Sequence, residues 1–171
     1  TARDLYFDLS LSPGNVSNDG SVFIHTTDES NPYERTYRIK FLNEGAILED
    51  NPLHSEQAKN ISNPVVSSDG NAIAYWGTGM SGEVDIYIRT RIADSMDLSQ
   101  PRGIRAPIPG TLCYLSNDAK AMLLRTGSGG PDSLYALNEG ADGKWRESWL
   151  YTSGRLGYTP VMSADGKWVF F

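Results

Sequence analysis

Histidine and cysteine are nearly missing from this chain, with two of the first and one of the second among 171 residues. Cys113 alone can build neither an internal disulfide framework nor a cysteine-based zinc site. His25 and His54 stand far apart with no His-x-His pair, so no metal site and no cofactor are expected. Long apolar runs are lacking too. No stretch approaches the roughly 18 residues of a membrane helix, and no membrane span is expected. Cations are few and scattered: 15 lysines and arginines against 21 acids give a net charge of −6. A phosphate-binding surface needs clustered cations, so nucleic acid is not expected as a partner.

Catalytic strings are also scarce. A serine-hydrolase elbow needs Gly-x-Ser-x-Gly. Ser81 has Gly79 before it but Glu83 after it, and Ser128 and Ser153 fail as well. The glycine-rich loops 77–82 and 127–132 would need a following helix and a lysine to cradle phosphate. A strand-like string follows each instead. No loop has EF-hand spacing, and Asp28-Glu29 and Glu49-Asp50 read as solvated loop charges. No catalytic residue is assigned.

What the chain has in quantity is a repeat. VSNDGSVFIHT, VSSDGNAIAYWGT, LSNDAKAMLLRTG and MSADGKWVFF begin at Val16, Val66, Leu115 and Met162. Their aspartates, Asp19, Asp69, Asp118 and Asp165, are separated by 50, 49 and 47 residues. Four copies at near-constant spacing mark a repeat architecture. Each string predicts a tight turn, at 17–20, 67–70, 116–119 and 163–166. Serine and aspartate oxygens cap backbone N–H groups there, and Gly20, Gly70 and Gly166 accept positive φ. Equal positions in equal turns make these aspartates turn caps rather than a calcium ring. Ala119 replaces glycine in the third copy, which predicts about 1 kcal/mol of strain or a different turn.

Three to five positions past each aspartate every residue is apolar, as in Val22-Phe23-Ile24 and Ala121-Met122-Leu123. A strand apolar on both faces is covered on both faces. His25, six positions past Asp19, shares its slot with Tyr75, Leu124 and Phe171, so it reads as a packing histidine. A second strand places Tyr37, Tyr87 and Tyr135 18, 18 and 17 residues after the aspartate. Asn43-Glu44-Gly45 and Asn138-Glu139-Gly140 read as hairpin turns toward a further strand, and 145–151 as an outer strand. Four antiparallel strands in about 48 residues make one propeller blade.

The string Pro-x-x-Ser-x-Asp-Gly, seen from Pro64 and again from Pro160, resembles the TolB-like, WD40-like β-propeller repeat. The resemblance implies an all-β propeller of four-stranded antiparallel blades, about three complete with partial blades at both termini. Residues 1–171 are then a single β-propeller domain or a propeller fragment. The chain stops inside the apolar string 167–171, so a fragment of a ring of about six to eight blades is expected. The alternative is closure by pairing with the strand Leu5–Leu9. If the chain is an incomplete ring, its open blade edges would favour self-association.

The fold implied is nearly silent about activity. The expected function is a non-catalytic scaffold for protein or glycan binding, periplasmic or extracellular. The alternative is a propeller part of a larger enzyme, a serine peptidase or a sugar lyase or hydrolase. Three loops at one position in successive blades should crowd one face, and binding residues concentrate on such loops. Asp28, Tyr33, Met80 and Asp132 are the candidate binding residues there.

Overall fold

The computed structural model describes residues 16–27, 36–43, 46–53, 59–93, 95, 97–105, 110–126, 132–153 and 160–170. Thirteen strands and no helix occur among them. β1 (Val22–Thr27), β2 (Thr36–Asn43) and β3 (Ala46–Pro52) form the first sheet, and a bridge from Val16 to Phe23 adds its inner edge. β4 (Lys59–Val66), β5 (Ala72–Thr78), β6 (Val84–Thr90) and β7 (Arg102–Ile104) form the second. β8 (Thr111–Leu115), β9 (Ala121–Thr126), β10 (Asp132–Glu139) and β11 (Trp145–Ser153) form the third. β12 (Val161–Met162) and β13 (Val169–Phe170) pair as a fourth. All pairings are antiparallel between chain neighbours, the meander order of propeller blades. The string Leu5–Leu9 lies outside the described residues.

The Ser-x-Asp-Gly turn, Ser-x-Asp-Ala in the third copy, joins the Val16 bridge to β1, β4 to β5, β8 to β9 and β12 to β13. In every copy the serine hydroxyl donates to the aspartate, at 2.7, 2.6, 2.7 and 2.7 Å. The same serine oxygen accepts the N–H of Val22, Ala72, Ala121 or Trp168 at 2.9–3.0 Å. Each aspartate also accepts the N–H two residues on, from Ser21, Asn71, Lys120 or Lys167. The buried serines are therefore satisfied, as buried polar groups must be. Ala119 adopts φ +56° and keeps the same turn, with its N–H on Ser116 O at 3.0 Å.

One hairpin lies elsewhere than its glycine suggests. β10 runs on through Asn138 and Glu139, and the turn spans 140–144. Asp142 caps the Lys144 N–H and Gly143 takes φ +72°, so Asp-Gly supplies what Asn-Glu-Gly does not.

The sheets stack, and the stacking explains strands that are apolar on both faces. On β5, Ala72, Ala74 and Trp76 join the layer between the second and third sheets, with Met122 and Leu124 of β9. Ile73 and Tyr75, pointing the other way, join Val22, Ile24, Ile39 and Phe41 of the first sheet. Ala121 and Leu123 face the fourth sheet with Met162. Residues three and five past the aspartate thus face the following sheet, and those four and six past it face the preceding one. Each Ile or Leu so enclosed contributes about 1.5–3 kcal/mol.

Polar links run along the same stack. The Asn18 N–H donates to Ser68 O at 2.8 Å, and the Asn117 N–H to Ala164 O at 2.9 Å. Between the second and third turns, the Asp69 N–H reaches Asn117 Oδ1 at 3.3 Å and the Ser68 and Tyr114 hydroxyls share a hydrogen bond. The Arg89 guanidinium binds Ser99 O at 2.8 Å, Leu98 O at 3.3 Å and, just past the end of β3, Leu53 O at 3.4 Å.

Candidate functional site

Strand direction separates two ends of the stack. The Ser-x-Asp-Gly turns occupy one. The hairpins closing at Thr27–Thr36, Thr78–Val84 and Thr126–Ser133 occupy the other. Because the turns stack blade on blade, these three hairpins lie along a common side.

Of the candidate binding residues, Asp28 and Tyr33 lie outside the described residues. Asp132 opens β10 opposite Ser153, so its backbone sits at the hairpin end. Met80 is described in full. It tips a turn closed by Gly79 N–H to Glu83 O at 2.8 Å and Gly82 N–H to Gly79 O at 3.0 Å, with Gly82 at φ +84°. The Tyr87 hydroxyl braces this turn from beneath: a Cβ on Gly79 would lie 2.5 Å from it. Met80 is 87% exposed on that fixed base. Thioether side chains are adaptable contact groups, and an exposed one on a rigid turn suits recognition.

Two aromatics near this end escape the sequence reading. Trp149 of β11 is 62% exposed, and Tyr151 is partly so. The Trp149 indole N–H donates to Thr152 Oγ1 at 2.9 Å, and Thr152 in turn shares a 2.8 Å hydrogen bond with Ser133. The indole is therefore held while its ring faces solvent. The alternation in WRESWLYTS marks an outer strand, but not which ring stays uncovered at a sheet edge.

At the opposite end the repeated aspartates spend their carboxylates on the turns. The Ser163 hydroxyl, then Lys167, draw the Asp165 carboxyl down to about 2, and Ser17 lowers Asp19 in the same way. Asp142 is lowered by its hydrogen bonds with Arg146. Among the described residues no three His, Cys, Asp or Glu side chains converge as metal ligands. His25 lies in β1 opposite Arg38, its ring 5.8 Å from Phe23. Cys113 is buried, and burial pushes its thiol pKa up, away from the reactive thiolate. No helix among these residues is long and apolar enough to cross a membrane.

No protein-family model and no curated protein matches the sequence. Solved structures do match the fold. A protein described as TolB from Agrobacterium tumefaciens aligns with TM-score 0.59 and 19% identity, covering 92% of this chain and 51% of that one. TolB from Acinetobacter baumannii aligns with TM-score 0.49 and 16% identity, covering 81% of this chain and 31% of that one. The chain thus spans about half or less of the TolB structures it matches. Stacked four-stranded meanders, Ser-x-Asp-Gly turns and this likeness together give the chain the fold of a TolB-like β-propeller.

Proposed function

We propose that this chain is a non-catalytic binding scaffold that presents the hairpin end of its blades to a protein or glycan. The observation that carries the reading is Met80, almost fully exposed on a turn braced by the Tyr87 hydroxyl. Binding loops on a rigid stack lose little entropy on engagement. The held Trp149 ring supports the same end, since exposed aromatics with few rotatable bonds are effective contact groups. Residues 1–171 act in this reading as one propeller unit or a piece of one. The reading includes a periplasmic or extracellular setting, for which the TolB-like fold is the support.

A glycan array and a displayed peptide library, both probed with the whole chain, supply the ligand. That ligand is then titrated against the triple variant Tyr33→Ala, Met80→Ala, Asp132→Ala. The reading expects Kd to rise at least tenfold, about 1.4 kcal/mol, with the far-ultraviolet spectrum unchanged. A triple variant that binds as tightly as the parent chain overturns it.

A further inference from the structure

The layer between the second and third sheets ends, on the hairpin side, in a row of hydroxyls. Across the third sheet the register aligns Leu112, Leu124, Tyr135 and Trp149. Leu112 and Leu124 are buried in that layer and Tyr135 packs against it, so this row faces the second sheet. One row nearer the hairpins stand Thr126, Ser133 and Thr152, aligned by the same register. The Ser133 and Thr152 hydroxyls share a 2.8 Å hydrogen bond, and Thr152 Oγ1 accepts the Trp149 indole N–H at 2.9 Å. On the second sheet Trp76, Ile86 and Ile104 close the layer from the other side. The next row there is Thr78 and Val84, and β7 stops at Ile104, short of it. Val84 is accordingly 61% exposed and Trp149 62%. Both sheets have four strands, so the opening lies inside the stack and not at its last sheet.

We propose that the Trp149 ring and the hydroxyls beside it form a binding subsite for one sugar unit of a neutral glycan. The proposal rests on the hairpin-end reading, which admits protein or glycan, and deepens it by naming the ligand class. With its N–H engaged on Thr152, the indole offers a fixed ring face. That face carries the negative part of the aromatic quadrupole, and the C–H face of a pyranose ring is its complement. The hydroxyls decide between ligands. An apolar protein anchor seated on Trp149 would take water from Ser133 and Thr152 without replacing its hydrogen bonds, a net cost. A sugar meets both needs, with an apolar face for the ring and hydroxyls for the rim. Thr78, Thr126, Ser133 and Thr152 carry no charge, which fits a neutral glycan rather than an ionic one. Glu147, one row back opposite Leu137, adds a single acceptor at the border. One sugar on one ring binds weakly, with Kd on the order of 1 mM.

Amide resonances of Ser133 and Thr152, followed by nuclear magnetic resonance in the whole chain, test this. The probes are cellohexaose, chitohexaose, xylohexaose and mannohexaose, each titrated to about 10 mM. At least one should shift both resonances to saturation. Trp149→Ala should then raise its Kd at least tenfold, while Trp149→Phe, which keeps a ring face, should retain most of the affinity. Trp168→Ala removes an equally open indole, 68% exposed on the fourth sheet, and should leave Kd unchanged. No shift with any probe, or undiminished binding in Trp149→Ala, overturns the proposal. The hairpin-end reading fails separately. A displayed peptide whose binding is lost in the triple variant at Tyr33, Met80 and Asp132, with no response to sugar, sinks the subsite and leaves that reading standing.

Discussion

Gly70 sits directly on Val22: a Cβ added to that glycine would lie 2.6 Å from Val22 Cγ2. The turn of the second repeat therefore packs on the strand of the first, so its glycine answers both to a backbone angle and to a neighbouring sheet. Gly20, at a similar φ of +71° against +73°, has nothing within 4 Å of its Cβ site. Gly20→Ala should cost about 1 kcal/mol, the left-handed penalty alone. Gly70→Ala should cost about 1–3 kcal/mol more, because Val22 must also shift. Urea unfolding of the two variants gives the comparison, and equal midpoints would refute the stacked turn.

Ala119 shows the converse. Its methyl is buried in the layer that also contains Ala72. Ala119→Gly relieves about 1 kcal/mol of left-handed strain but removes a buried methyl worth about 0.8 kcal/mol. The melting temperature should stay within a degree or two. A large loss would mean that the methyl, not the turn, dominates this position.

Tyr75 is fully buried, stacks on Tyr87 at 6.1 Å, and its hydroxyl makes no hydrogen bond. Burial pushes its phenol up to about 12, against a smaller opposing pull from Arg89. A buried hydroxyl without a partner is a net cost, so Tyr75→Phe should stabilise the chain by about 1 kcal/mol. The raised pKa also fixes the alkaline limb. Stability from this residue is whole below pH 10 and falls as pH rises from 10 toward 12. Tyr75→Phe should flatten that limb in thermal melts between pH 9 and 11.

The acidic limb belongs to the turns. Asp165 and Asp19 have lowered pKa values, so their contribution is present above the ordinary value of 3.8 and fades as pH falls below it. For Asp165 the loss runs down to about pH 2. Ser163→Ala should raise the Asp165 titration midpoint toward 3.8, read from its carboxyl carbon by nuclear magnetic resonance. An unchanged midpoint would remove the serine from its capping role.

Much of the fold was legible because the repeat writes its physics locally. Asp19, Asp69, Asp118 and Asp165 announce their turns, and Ala72 to Tyr75, apolar without alternation, announces a strand covered twice. Which face meets which neighbour depends on contacts some 50 residues away, and the strings alone do not carry it. Trp168 belongs to a string that reads as covered on both faces, and Trp149 to one that reads as an outer strand; both are exposed in the structure. Trp149 lies on an edge strand, and Trp168 on a sheet with no following neighbour among the described residues. Met80's place on a hairpin loop was legible in the sequence; the contact of the Trp149 indole with Thr152, three residues on along the same strand, was not.

Successive sheets stack through their Ser-x-Asp-Gly turns, and two amides report on that stacking directly. Asn18 and Asn117 sit at turn tips, yet each donates its backbone N–H across to the next turn, at 2.8 and 2.9 Å. Native-state hydrogen exchange at these two amides is the most direct measurement. Stacked sheets predict exchange at least a thousandfold slower than in an unstructured peptide, through opening of about 4 kcal/mol or more. Exchange at the unstructured rate, with the strand amides still protected, would contradict it.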